Sequence, residues 1–237
     1  MPIALGALVL IVTLILLFVL SKLRAAKQDR FIREYRFPPG LLAKLVAQHP
    51  QLAVKDQQLV LRGLRKFFLA YLRGGRKHVS MPSQIVDDLW HAFILYTREY
   101  KEFCQDAFGH FFHHSPAGSL GSDQKTNIGL RRVWWYSCVE ETINPRKPIR
   151  LPLLFALDSK LKIANGFHYT TNCVGLIKRI GDNNQTALCG SDFSSQSIDG
   201  SLEGFGDFSS SSGDSGGDSS GGGGDGGGGG GCGGGGD

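Results

Sequence analysis

The apolar run from Ile3 to Leu20 constrains this chain more than any other segment does. It carries no charged side chain, and Thr13 is its only polar one. An α-helix rises 1.5 Å per residue, so a run of this length is just able to cross a hydrocarbon core of about 30 Å. The basic start and small-residue cleavage site of a signal peptide are missing or poor. The run therefore predicts a single transmembrane anchor over residues 1–22.

Basic residues follow this run at once, and none precedes it. Residues 21–80 carry fourteen Lys and Arg against three acidic residues. Lys and Arg accumulate on the cytoplasmic side of a span, and anionic head groups attract each nearby basic side chain by about 1 kcal/mol. We therefore expect membrane lipid to contact residues 3–20 and the basic block 22–77, at the plasma (inner) membrane. Nucleic acid is disfavoured as a partner because the block lacks interleaved aromatics or a known motif.

The C-terminal end is equally biased in composition. Residues 190–237 contain 21 of the 33 glycines, many serines and eight acidic residues, but no Lys or Arg. Ordering a backbone costs about 1–2 kcal/mol per residue, and this segment has too few apolar side chains to offset that cost. The composition predicts a disordered, acidic, Gly/Ser/Asp-rich tail.

Between anchor and tail, helical periodicity dominates and strand signals are weak. We assign residues 23–38 to a basic juxtamembrane segment and residues 39–185 to a compact helical domain, so the predicted fold class is all-α. Apolar residues recur at helical spacing between Gly and Pro residues that end helices. This pattern predicts helices over residues 41–48, 59–72, 82–107, 128–142 and 151–161. In the long central helix, Ser83 is a candidate N-cap, and Trp90 is expected on the buried face.

The segment Val86–Gly109 resembles the glycine-rich domain-containing protein-like family. Its V-D-x-x-W-H element is followed at fixed spacing by Tyr, Cys and Gly, and all seven places are filled: Val86, Asp87, Trp90, His91, Tyr100, Cys104 and Gly109. The usual W-H-x-H pattern is altered, because Phe93 replaces the second His. The resemblance implies a bacterial, membrane-anchored relative with a helical domain and a Gly-rich tail, and it implies no established enzymatic activity.

A metal site is one hypothesis for the polar face of the central helix. Asp87 and His91 are spaced i, i+4 and therefore project from one face, while His110, His113 and His114 follow just past the helix. Imidazole and carboxylate ligands suit zinc or non-haem iron. There is no H-x-x-x-H or H-E-x-x-H element, so we favour the simpler interpretation. In that interpretation the Asp87–His91 pair bonds across to a neighbouring helix, and the loop histidines are solvated.

Nucleophilic catalysis by cysteine is a second hypothesis. The five cysteines are scattered without a C-x-x-C pair, which is typical of reduced thiols in the cytoplasm. Cys104 lies on the aromatic face of its helix, where a buried thiol behaves as a small apolar group. Structural burial is therefore favoured for Cys104, and Cys173 near His168 is a weaker candidate of the same kind.

Together these patterns predict a single-pass membrane protein that presents a non-enzymatic helical binding or assembly domain to the cytoplasm. This interpretation requires no cofactor and leaves room for a protein partner, and no small-molecule substrate is identified. The alternative is a metal-dependent enzyme that uses zinc or iron at Asp87 and His91, completed by one of the loop histidines.

Overall fold

The structure is a computed structural model that describes residues 2–114, 128–171 and 188–193. Within those residues the fold is mainly helical, with one pair of very short strands. The elements in chain order are α1 (Pro2–Glu34), α2 (Leu41–Gln48), α3 (Val54–Arg73), α4 (Gln84–Ile94), α5 (Thr97–Phe108), α6 (Ile128–Glu140), α7 (Leu153–Leu161), β1 (Tyr169–Thr170), β2 (Leu188–Cys189) and a 3-10 turn (Gly190–Phe193).

Helix α1 has two parts with opposite environments. From Leu8 to Leu20 every large apolar side chain is at least 44 % exposed. Among the described helices, this is the one that is long and apolar enough to span a membrane, although a signal sequence meets the same criterion. The C-terminal part instead packs into the folded domain, where Ile32 is fully buried and Asp29 pairs with Arg73 of α3 at 2.7 Å. One continuous helix therefore links the apolar run to the core.

Helix α3 lies at the centre of the fold and packs against α1, α2, α4, α6 and α7. It begins at Val54, five residues before the predicted start at 59, because Asp56 accepts a hydrogen bond from the backbone N–H of Ala53 and closes the first turn. Phe67 and Phe68 are fully buried in the middle of its apolar face. This aromatic core is the platform on which α4 and α5 rest.

The single helix predicted over residues 82–107 is wrong, because the chain breaks at Tyr96 into α4 and α5. Tyr96 has φ −84° and ψ 65°, which lies outside the helical region. In one straight helix, residues ten apart are separated by about 15 Å along the axis. Here the ring centroids of Phe93 and Phe103 lie 5.5 Å apart. Folding the two halves against each other buries both rings in one core, which a straight helix cannot do.

The N-terminus of α4 is fixed by Asp158 of α7, which is 1 % exposed. Its carboxylate accepts hydrogen bonds from the backbone N–H groups of Gln84 and Ile85 at 2.7 and 3.2 Å. Ser83 is the N-cap residue, as predicted, but its hydroxyl donates to Asp158 at 2.7 Å instead of capping the helix itself. A distant carboxylate thus satisfies the free N–H groups and orients α4.

The C-terminal part of the described chain departs from the sequence prediction in one respect. β1 and β2 pair in parallel, and the 3-10 turn that follows buries Phe193 to 1 % exposure. Its ring lies 5.7 Å from that of Trp134. Residues 190–193 therefore belong to the folded domain, although composition assigns them to the tail. The remaining tail, residues 194–237, lies outside the described residues, as does Cys173.

Candidate metal centre

Asp87 and His91 occupy one face of α4, as their spacing predicts. His91 Nδ1 lies 3.5 Å from Asp87 Oδ2. The carboxylate is 13 % exposed and the imidazole 52 % exposed, so the pair lies at the edge of the domain with one member open to solvent. This arrangement leaves the second carboxylate oxygen of Asp87 available to another partner.

The chain turns back toward this face immediately after α5. Gly109 adopts φ +81° at the C-terminus of α5, a left-handed conformation that glycine accepts at little cost. Phe112 then inserts into the core, where it stacks on Tyr71 with centroids 3.8 Å apart and on Trp90 at 5.0 Å. Phe112 thus anchors the return segment, residues 110–114, alongside α4.

The return segment delivers His114 to the Asp87–His91 pair. His114 Nε2 lies 2.9 Å from Asp87 Oδ1, and the His91 and His114 ring centroids are 4.2 Å apart. One ligand atom from each of the three side chains lies within 4.8 Å of the others. Asp87 and His114 are 13 % and 11 % exposed, so two of the three groups are held inside the surface. The result is a two-histidine, one-carboxylate cluster with its open side at His91.

The other two predicted histidines lie elsewhere. His110 Nε2 is 2.9 Å from the Tyr71 hydroxyl, and His113 is exposed with its ring 4.8 Å from that of Phe111. Extended backbone sends alternate side chains to opposite sides, so residues 110, 112 and 114 share one side. Burial of the apolar Phe112 could have placed His113 on the outward side, although it would not have separated His114 from His110, and the sequence prediction did not use this alternation.

A hydrogen-bond chain holds the return segment in place. Trp90 Nε1 donates to the Tyr100 hydroxyl at 3.2 Å, and that hydroxyl donates to the Phe112 carbonyl at 2.5 Å. Burial raises the pKa of Tyr100 far above its usual value, which keeps the hydroxyl protonated and able to donate. Trp90 and Tyr100, which belong to the sequence signature, therefore position the backbone that carries His114.

Cys104 is also part of this packing. It is fully buried, and that burial raises the pKa of its thiol. A neutral thiol without access to solvent is a poor nucleophile. The geometry therefore supports a structural role for Cys104 as a buried core residue.

The hydrogen bond to a neighbouring helix that was expected for Asp87 is made by Asp88 instead. Asp88 Oδ2 lies 2.8 Å from Nε2 of His49, at the end of α2. Gln84 also donates to Asp88, at 2.9 Å. Because Asp88 makes the contact with the neighbouring helix, Asp87 is left to face His91 and His114. Sequence reasoning could not separate these adjacent aspartates, since both lie at helical spacing from candidate partners.

No curated protein and no solved structure matches this chain significantly. A match to a protein family covers residues 27–193, which includes the whole Asp87–His91–His114 cluster and excludes the apolar run. The relationship to glycine-rich domain proteins stays a prediction. Because the match spans well over half of the chain, the protein belongs to the UCP032817-like family.

Proposed function

We propose that this protein is a membrane-anchored helical domain that binds a divalent transition-metal ion through Asp87, His91 and His114. The observation that carries the proposal is the convergence of three ligand atoms within 4.8 Å. Two of them come from one helical face, and the third comes from a segment that the core pins in place. A site whose parts are separately anchored in this way is pre-organised for an ion.

The chemistry of the donors favours zinc or ferrous iron. Two imidazoles and a carboxylate form the ligand set of open zinc sites and of non-haem iron centres. Ligand atoms around tetrahedral zinc lie about 3.3 Å apart, given bonds of about 2.0–2.1 Å. In the cluster the two imidazoles lie 2.9 and 3.5 Å from the Asp87 oxygens, and the three ligand atoms all lie within 4.8 Å of one another. His91 is half exposed, so rotation of its side chain is free to close the remaining distance.

The immediate surroundings also suit an ion. The His114 ring lies 4.5 Å from the buried Trp90 ring, which shields one side of the site from water. Asp87 faces both histidines and supplies a negative charge that offsets part of the charge of a divalent cation. Trp90 and Tyr100 position the backbone that carries His114, and mutation of groups that orient metal ligands typically changes metal affinity 10–100-fold.

Membrane anchoring rests on α1. Its apolar side chains from Leu8 to Leu20 are exposed in the isolated chain, and burying such surface in lipid is strongly favourable. The continuous helix into the core supports an uncleaved anchor, because a cut after the apolar run would sever one helix. The basic residues that follow favour a domain on the cytoplasmic side of the plasma membrane.

Metal analysis of the full-length protein tests the site. We expect stoichiometric zinc or iron in detergent-purified protein, after incubation with either ion and removal of the excess. Asp87→Ala and His114→Ala should each lose it. His113→Ala is the matched control, because it removes a histidine one residue from His114 that lies outside the cluster. Metal that survives both cluster substitutions, or a wild type that binds none, would overturn the proposal.

Anchoring and orientation are tested separately. The protein should resist extraction from membranes by alkaline carbonate, and a reporter fused after residue 185 should be active on the cytoplasmic side. Release by carbonate, or a mature chain that lacks the apolar run, would contradict the anchor. A reporter active only on the outer side would reverse the orientation.

A metal-dependent enzyme is the second candidate, favoured by the exposure of His91. Three protein ligands leave a coordination position for water or substrate, which is the usual arrangement in catalytic zinc sites. Cobalt-substituted protein titrated with azide should change its visible absorption if that position is exchangeable. An unchanged spectrum would favour a closed binding site over an enzyme.

A further inference from the structure

A groove of about 740 Å³ runs along α1 where the apolar run meets the domain. Its α1 wall is formed mainly by residues from Leu17 to Phe31 that are spaced three and four apart and so make a single stripe of the helix. The opposite wall comes from the end of α5 and from Arg76, just after α3. The groove is therefore built jointly by the apolar helix and the folded domain.

The groove changes character along its length. Leu17 and Leu20 line one end and are 58 % and 44 % exposed. Further along α1 the groove is lined by three basic side chains, Arg24, Lys27 and Arg76, by Asp106 and by the rings of Phe31 and Phe108. An apolar end joined to a net positive end matches an amphipathic anion, with a hydrocarbon chain at Leu17 and a negative head group at Arg76.

The positions of the basic residues along α1 match the depth of the head-group layer of a bilayer. Arg24 and Lys27 lie four and seven residues past Leu20, which is about 6 and 10 Å further along the helix. The polar head-group layer is about 5–7 Å thick on each side of the hydrocarbon core. Arg24 thus falls within that layer, and the long Lys27 side chain is able to reach back to it. Phospholipid is the anion present at this depth.

Arg76 is held toward the groove by the fold. It has φ +59°, a left-handed conformation that follows the Gly74–Gly75 turn. Its Nη2 donates to Gln28 Oε1 of α1 at 2.6 Å. The turn and this hydrogen bond hold the Arg76 guanidinium beside the groove, and a guanidinium is a strong hydrogen-bond donor to phosphate oxygens.

We propose that this groove binds one anionic phospholipid, with its phosphate among Arg24, Lys27 and Arg76 and an acyl chain along Leu17 and Leu20. The inference rests on the membrane anchoring proposed above and is independent of the metal site. Such a lipid would attach the domain to the bilayer at a second point and so limit its rotation about α1.

Photo-crosslinking in nanodiscs tests this site with the full-length protein. The discs contain phosphatidylcholine with a minor fraction of photoactivatable phosphatidylglycerol, and photoactivatable phosphatidylcholine serves as the neutral comparison. We expect phosphatidylglycerol to label the groove preferentially. Arg76→Gln should reduce that labelling about fivefold, the equivalent of about 1 kcal/mol for one basic contact. Lys22→Gln is the control, since Lys22 is a basic residue of the same helix, two positions from Arg24, that does not line the groove.

The outcomes separate a groove from a general basic surface. Equal losses in Lys22→Gln and Arg76→Gln, or equal labelling by the two lipids, would overturn the lipid site. Carbonate extraction of the same samples shows whether the protein is inserted. If it is inserted and the labelling is unselective, only this inference fails. If it is not inserted, the proposed anchor fails, and the lipid site fails with it.

Discussion

Tyr100→Phe is the most informative single substitution, because it removes one oxygen atom and preserves the ring. That oxygen accepts the Trp90 indole N–H and donates to the Phe112 carbonyl. Tyr100 is 1 % exposed, so water cannot readily replace it. Each buried polar group left unpaired costs about 1–3 kcal/mol. With some relaxation of the return segment, we expect the free energy of unfolding to fall by about 2–4 kcal/mol.

Urea denaturation of the full-length protein in detergent, followed by tryptophan fluorescence, measures this loss. Tyr96→Phe is the matched control, because the Tyr96 hydroxyl makes a single 3.4 Å hydrogen bond to Pro39 at an exposed position. That control should change stability by less than about 0.5 kcal/mol. If Tyr100→Phe is no more destabilising than Tyr96→Phe, the hydrogen-bond chain does not hold the return segment.

The same variant links the core to the proposed metal site. Tyr100 is not a member of the cluster, but it holds the Phe112 backbone two residues before His114. Loosening that backbone should weaken zinc binding about tenfold, the lower end of the range for groups that orient ligands. Calorimetric titration with zinc measures the change. Unaltered affinity in a destabilised Tyr100→Phe protein would mean that His114 is positioned by other contacts.

Other predictions concern stability. Trp90→Ala should cost about 3–5 kcal/mol in urea denaturation because it empties a buried aromatic site, whereas His91→Ala should cost less than about 1 kcal/mol because its side chain is half exposed. Asp158→Ala should cost about 3–5 kcal/mol, since it leaves the N-terminal amides of α4 without their acceptor. Burial raises the pKa of the Cys138 thiol to about 12, so its contribution to stability is present below pH 9 and is lost as pH rises toward 12. Cys138→Ala should flatten that part of the profile of unfolding free energy against pH.

Periodicity predicted the helices well where the helix itself determines which side chains share a face. α2 has the predicted bounds, and the predicted helices at α6 and α7 differ from the structure by two residues at one end. The i, i+4 relation of Asp87 and His91 needs only helical geometry, so it too was predictable. The length and hydropathy of the apolar run from Ile3 to Leu20 can likewise be read from the sequence alone.

Tertiary packing decided the features that depend on distant partners. The break at Tyr96 lets Phe93 and Phe103 enter one core. The burial gained in this way depends on tertiary contacts, so the periodicity of the sequence does not predict it. Composition placed Phe193 in a tail, but its burial depends on Trp134, almost sixty residues earlier.

The candidate site shows the same division. The sequence by itself determined that an aspartate and a histidine share a face of α4 and that three histidines follow nearby. Only the packing of Phe112 against Trp90 and Tyr71 selected His114 as their partner. Secondary structure is dictated by neighbours along the chain, whereas a site of this kind is completed by contacts between elements, whose free energy depends on the whole core.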